Sequence, residues 1–291
     1  MPDPAPATPA FSLPLDPSYL LSSKPNPVRA NPAFPNLAAN LYNLTFVMDT
    51  ARIAELLEPF LAPIVMSGDF RYSEGAQAAG ESAVLSLTQL ENISTYIDIL
   101  LRWNARINLT AIRDREDIVT RHFGESLFAA RHLFPGARPA LQVRDNPEET
   151  STVAPGTLSV ADIGSGAGFP GLPIKLWASN IALTLIESNH KKAAFLREVT
   201  RALTLTDVNI QNSRAEVLAG NSFGTISLRA VERFETVLPT AAALVAPAGR
   251  LALLISSAQQ NQARSTLPTL NWSAPVQIPC SRARILLVGR N

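Results

Sequence analysis

The stretch Val160-Ala-Asp-Ile-Gly-Ser-Gly-Ala-Gly-Phe-Pro-Gly171 constrains the fold of this chain more than any other. Val160 to Ile163 read as a short buried strand. Glycines at 164, 166, 168 and 171 then break the chain into a turn and open a helix. Glycine lets backbone pass close to a neighbour that a side chain would block. Such a turn, at the carboxyl end of a first strand, is where doubly wound α/β proteins receive nucleotide-like ligands. Asp162 adds an acceptor at the strand tip, and the apolar run Ile181–Ile186 ends in Glu187, 23 residues after Gly164. A carboxylate there can hold both hydroxyls of a ribose. The pattern fits an adenosine-containing cofactor, although glycine turns also arise for steric reasons alone.

Two ligand classes share this pattern. Gly166-Ala-Gly168-Phe-Pro-Gly171 satisfies the dinucleotide spacing G-x-G-x-x-G. A pyrophosphate, however, wants free N–H groups at a positive helix end, and Pro170 removes one there. The other register, Asp162-x-Gly-x-Gly-x-Gly168, suits a ligand without phosphate, such as S-adenosylmethionine.

Strand and helix patterns alternate along the rest of the C-terminal half. Strands are expected at 158–163, 181–186, 207–211, 224–229, 249–256, 274–278 and 283–289, and helices at 170–178, 190–203, 213–219 and 233–245. Strand–helix alternation builds a mainly parallel sheet. The last two strands have no helix between them and are expected to pair antiparallel at one edge. Seven strands ending in such a pair is the arrangement associated with α/β, Rossmann-like class I methyltransferases. Upstream, Leu90, Ile93, Ile97, Leu100, Leu101 and Ile107 mark an amphipathic helix from Ser86. After a break at Asn108-Leu-Thr, a second helix is expected from an Asp114 N-cap to about Leu133. Residues 135–157 read as a long loop.

The N-terminal part differs in kind. Ten of the 23 prolines fall in the first 40 residues, so 1–47 reads as a disordered Pro-rich extension. Met48 opens a helical start and is taken as the initiator, with 48–85 a loosely defined helical segment before a single domain over 86–291. Residues 1–80 carry seven acidic and four basic side chains, which leaves 17 and 21 on 81–291. That excess of four positive charges permits an RNA partner. The single Cys280 excludes an internal disulfide framework and fits a reducing, cytoplasmic compartment. No ligand cluster for a metal is evident. The most apolar stretch, 241–255, is broken by Pro247 and Arg250, so no membrane span is expected, and the N-terminus lacks the pattern of a secretory signal.

With these motifs in order, the chain resembles the bacterial small-subunit ribosomal RNA methyltransferase G family, also called glucose-inhibited division protein B. The likeness is carried by Arg102-Trp-Asn-Ala-Arg-Ile-Asn-Leu-Thr110, by Arg121-His122 with Glu125-Ser126, and by Asp162-Ile-Gly-Ser-Gly-Ala-Gly-Phe-Pro-Gly-Leu-Pro173. It continues through Glu187-Ser188, Lys191-Lys192, Phe195-Leu196-Arg197, Arg214-Ala-Glu216 and Arg229-Ala230, and covers roughly 86–291. The resemblance implies methylation of N7 of a guanine in small-subunit ribosomal RNA, with S-adenosylmethionine as cofactor and the RNA or the small subunit as partner. It implies Gly164, Gly166 and Phe169 along the cofactor, Glu187 near the ribose, Ala215 and Glu216 at the adenine, and Arg229 in the same site. It does not identify a catalytic residue. Two departures stand out: a Lys-Gly pair usual after the fifth strand is replaced by Ser256-Ser257, and the 135–157 loop is longer.

Several side chains admit both a structural and a functional role. Trp103 and Asn104 suit either a helix core or an RNA surface. Asn108 and Thr110 suit a cap or turn, or a contact with the cofactor. His122 is either a satisfied hydrogen bonder or part of the site. Lys191, Lys192 and Arg197, with Arg102 and Arg121, form a solvated face or an RNA-binding patch. Guanine N7 has a lone pair and no proton, so the reaction needs placement rather than a general base. A nicotinamide-dependent oxidoreductase, a non-enzymatic RNA-binding or assembly factor and a small-molecule methyltransferase remain as alternatives.

Overall fold

The computed structural model describes residues 48–62, 84–137 and 159–291, apart from Ala219, Asn221 and 230–232. The Pro-rich 1–47 segment, residues 63–83 and most of the 135–157 loop lie outside the described residues.

Among the described residues eight strands form one sheet: β1 (Ser159–Ile163), β2 (Ala182–Ile186), β3 (Val208–Gln211), β4 (Phe223–Arg229), β5 (Val245–Ser256), β6 (Asn271–Trp272), β7 (Val276–Gln277) and β8 (Arg284–Arg290). Their order is β3-β2-β1-β4-β5-β8-β6, with β7 also on β8. β1 to β5 run parallel, whereas β8 is antiparallel to β5, β6 and β7. The expected strand at 274–278 is thus one edge partner split in two. Trp272 faces Gly289 and Val276 faces Leu286, so one side carries an extra residue. Pro275, with no N–H for the ladder, lies in that interruption.

The helices are α1 (Thr50–Leu61), α2 (Leu87–Asn104), α3 (Arg115–Ile118), α4 (Glu125–Leu133), α5 (Gly171–Trp177), α6 (His190–Ala202), α7 (Phe234–Ala243) and α8 (Gln260–Thr266). Ser86 caps α2 in a reciprocal capping box with Gln89, and Asp114 caps α3 as its sequence position suggests. Among the described residues no helix is long and apolar enough to cross a membrane.

Three expectations need correction. The helix expected from Asp114 to Leu133 is interrupted by a π turn over Val119–Gly124. The helix expected at 213–219 shrinks to a 3-10 turn, Ala215–Leu218. The run Gln260–Thr266, too polar to signal a buried face, forms α8 with only Ala263 buried.

Apolar side chains pack on both sheet faces. One layer holds α1, α2, α4, α5 and α6 and includes Ile53, Tyr96, Phe123, Leu127, Leu172 and Phe195. The other holds α7 and α8, with Ile226, Leu228, Leu238 and Leu253. Side chains alternate along a strand, so Thr225, Ser227 and Arg229 share the face of Val160 and Asp162. That alternation puts a polar column under the helical layer, at the point where the strand order reverses between β1 and β4.

Candidate cofactor and substrate site

The glycine turn leaves β1 at its carboxyl end and is fixed by its own backbone. The N–H groups of Gly164 and Ser165 donate to the Ile186 carbonyl at 2.9 and 3.1 Å, and Gly168 N–H donates to the Ser165 carbonyl. Gly166 N–H donates to Glu187 Oε2 at 2.9 Å, and Gly171 N–H to Asp162 Oδ2 at 3.3 Å. Five N–H groups of the turn are therefore spent inside the protein. This disposes the turn towards a ligand without phosphate.

Two glycines have opposite surroundings. A Cβ on Gly168 would lie 2.2 Å from Tyr96 Oη and 2.7 Å from Leu172 Cδ1. A Cβ on Gly166 would meet only the Gly164 carbonyl oxygen, at 3.6 Å. Gly168 is thus needed for packing, while the space over Gly166 is open. Both have positive φ, 84° and 55°.

Asp162 is not the surface acceptor that its place at a strand tip suggests. It is 1% exposed. Oδ1 accepts from Ser227 Oγ at 2.8 Å and Oδ2 from Gly171 N–H, so the carboxyl clamps β1, β4 and the start of α5 together. Burial pushes its pKa up to about 7, against the opposing hydrogen bonds from Ser227, Gly171 and Ser165. Glu187 is also buried. Oε1 accepts from Asn189 N–H at 2.7 Å while Oε2 accepts from Gly166, which orients the carboxylate between the turn and the start of α6. Asn212 Nδ2 donates to the Glu187 carbonyl at 2.8 Å and ties β3 to the same corner. Ala215 is buried and Glu216 exposed on the 3-10 turn after β3.

Phe169 lies between two other rings. It stacks on Tyr96 (centroids 5.3 Å apart, planes 5°) and on His122 (4.6 Å, 16°), with Phe123 edge-on at 5.1 Å. Its ring is 7% exposed. His122 Nε2 and Thr110 Oγ1 are 2.8 Å apart, and Thr110 Oγ1 accepts from Ile112 N–H, so Thr110 both shapes the turn and holds the imidazole. Burial, then Arg229, Arg121 and Arg284 in turn, depress the His122 pKa to about 3. The imidazole is neutral at any physiological pH.

Arg229 ends β4 beside the glycine turn, since its predecessor Leu228 pairs with Ile163. Its Nη2 donates to Glu125 Oε2 at 2.9 Å and to the Arg121 carbonyl, which the π turn presents. Arg284 Nη1 reaches the same Glu125 oxygen at 3.2 Å. Burial lowers the Arg229 pKa to about 10, which still leaves the guanidinium charged. Buried Arg229 Nη1 and His122 Nδ1 have no hydrogen-bond partner. Unspent polar atoms of this kind, on residues packed beside the glycine turn, fit a polar ligand.

The remaining expected residues spread outward. Lys191 and Lys192 sit in the first turn of α6, their N–H groups capped by Asn189 Oδ1 at 2.9 and 3.2 Å. Arg197 is exposed further along α6, Arg121 is exposed on the π turn, and Arg102 is exposed near the end of α2. Asn104 is a structural residue: its amide holds Leu109 N–H, Thr110 N–H and the Thr110 carbonyl. Sequence reasoning missed Tyr96 and Arg284 altogether. Tyr96 looks like one more apolar position on α2. Arg284 is reached only through the β5–β8 ladder, where it pairs with Ser256. Ser256 itself closes a capped turn with Gln259. The cation at this end of β5 therefore comes from across the ladder.

Comparison with known proteins places these features in a family. The model described as "GidB: rRNA small subunit methyltransferase G" matches residues 89–284. Ribosomal RNA small subunit methyltransferase G of Halorhodospira halophila is 36% identical over 170 residues, covering 58% of this chain and 71% of its own. The protein of that name from Roseiflexus castenholzii is 35% identical over 216 residues (70% and 84%). That from Xanthomonas axonopodis pv. citri is 31% identical over 224 residues (75% and 91%).

Proposed function

The chain belongs to the rRNA small subunit methyltransferase G family, and from that premise we propose that it methylates N7 of a specific guanine in small-subunit ribosomal RNA. S-adenosylmethionine is the methyl donor, and the RNA or the small subunit, in the cytoplasm, is the partner. The observation that carries this reading is the glycine turn. Five of its N–H groups are satisfied internally, yet it stays open at Gly166, and the residues packed beside it, Arg229 and His122, each carry an unpartnered nitrogen.

The residues at hand fit the cofactor. Gly164, Gly166 and Phe169 would line it, and Glu187, held by two backbone N–H groups, would face the ribose. Ala215 and Glu216 would flank the adenine, and Arg229 would supply a buried positive charge. When bound, S-adenosylmethionine supplies an electrophilic methyl group on a sulfonium. The protein's task is then to position the base. Guanine N7 carries no proton, so no side chain has to act as a base, and the neutral His122 is suited to packing and hydrogen bonding. Because N7 lies in the deep groove of an RNA helix, the target base has to be unpaired or splayed out to reach the site.

The test is transfer of labelled methyl from S-adenosylmethionine by the full chain to small subunits from cells lacking their own enzyme. Label on one guanine, lost in Gly166→Ala or Arg229→Ala, is the expected result. Binding of S-adenosylhomocysteine without transfer to RNA would favour another acceptor or a binding-only role.

A further inference from the structure

Four exposed arginines line two clefts on either side of α6. Arg102 and Arg106 come from the end of α2 and the turn after it, and Arg197 and Arg201 from α6. At 100° per residue, Arg197 and Arg201 share the outward ridge of α6, with Glu198 on one flank and Thr200 on the other. A cleft lies on each side of the ridge. The first, of about 120 Å³, is lined by Arg102, Trp103, Arg106 and Glu198. The second, of about 450 Å³, is more open and combines Arg197, Arg201 and Thr204 with Leu205, Val208 and Ile210 beside the edge strand β3.

Beside the first cleft Glu198 accepts from Trp103 Nε1 at 2.8 Å and lies 3.8 Å from Arg102. Among the described residues Arg106, Arg197 and Arg201 pair with no acid. Trp103 is half-buried, fixed edge-on against Phe195 at 5.9 Å and by its bond to Glu198. A preset indole between guanidinium groups is the combination that takes unpaired bases by stacking and their phosphates by charge. An acidic peptide would use the arginines but leave the indole without a role.

We propose that this α2–α6 face is the docking surface for the unpaired RNA strand flanking the methylated base, with phosphates on Arg102, Arg106, Arg197 and Arg201 and one base in the Trp103 cleft. The inference rests on the methyltransferase reading above and adds where the substrate lies. From His190 to Arg201 the ridge extends about 17 Å, so the strand would run from the corner at Glu187 down the flank of the domain.

The experiment uses the full chain with small-subunit ribosomal RNA and with whole small subunits, both isolated from cells lacking the native enzyme. Affinity is measured across a salt series for the parent, Arg102→Ala/Arg106→Ala, Arg197→Ala/Arg201→Ala and Trp103→Phe. S-adenosylhomocysteine binding serves as the folding control. Each double arginine variant is expected to lose roughly tenfold in RNA affinity and to flatten the log–log salt slope by about 1.4, with S-adenosylhomocysteine binding kept. RNA should quench the indole emission of the parent, and Trp103→Phe should abolish most of that quenching. If the parent binds RNA and both double variants match it in affinity and slope, this face is wrong while the functional reading stands. If the parent binds S-adenosylhomocysteine but neither RNA nor whole small subunits, both fall. Loss confined to whole small subunits, with naked RNA bound normally, would replace the RNA strand by a ribosomal protein.

Discussion

The hydroxyl of Tyr96, on α2, donates to the Ala167 carbonyl in the middle of the glycine turn at 2.6 Å, across 71 residues of sequence. This bond attaches the N-terminal helices to the cofactor turn. Tyr96 is fully buried and its ring continues the stack through Phe169 to His122. Tyr96→Phe keeps the stack and leaves the carbonyl unpaired. It should cost about 1–2 kcal/mol in urea unfolding and weaken S-adenosylhomocysteine binding measured by calorimetry.

Gly166 and Gly168 separate binding from folding. Gly168→Ala forces a Cβ against Tyr96 and Leu172 at positive φ, and should cost about 3 kcal/mol or more. Gly166→Ala meets open space and should cost about 1 kcal/mol, chiefly from its backbone conformation. It should nonetheless abolish S-adenosylhomocysteine binding. Equal loss of stability in the two variants would refute the assignment of the open space to the ligand.

Glu125 balances two cations in the core, Arg229 and the more exposed Arg284. Glu125→Gln leaves the buried Arg229 charge uncompensated and should destabilise the protein by about 3 kcal/mol. Replacing Glu125 and Arg229 together by methionine should recover most of that loss in chemical denaturation, though not cofactor binding.

Two buried groups make stability depend on pH in opposite senses. Asp162 has a folded pKa of about 7 against 3.8 unfolded. The native state keeps a proton that the unfolded chain releases, so its contribution is present below about pH 4 and is lost as pH rises towards 7. His122 has a folded pKa of about 3 against 6.5 unfolded. The unfolded chain binds the proton first, so its contribution is present above pH 6.5 and is lost as pH falls towards 3. Each slope is about 1.4 kcal/mol per pH unit, and the two offset each other between about pH 4 and 6.5. Urea midpoints should therefore rise with pH over that window in Asp162→Asn and fall with pH in His122→Gln. Parallel profiles for the two variants would show that one of these burials is misassigned.

The parts of this protein that rest on local chemistry are readable along the chain. The turn from Gly164 to Gly171, the caps at Ser86 and Asp114 and the parallel strands up to β5 follow from glycine freedom, capping groups and apolar period, which act within a few residues. The glycines, Glu187 and Arg229 were legible for the same reason, because each ends a readable strand. What those residues face depends on how distant elements pack. Asp162 reads as a ligand contact and is a buried clamp, since strand alternation turns it under α5, opposite Ser227. The interrupted edge strand depends on pairing with β8, and the π turn packs against α1, where Gly124 makes room for Phe60. The Tyr96–Phe169–His122 stack and the Arg229–Glu125–Arg284 group each join segments distant in the chain. No local pattern encodes such contacts, because their energy arises only when separate elements pack together and exclude water.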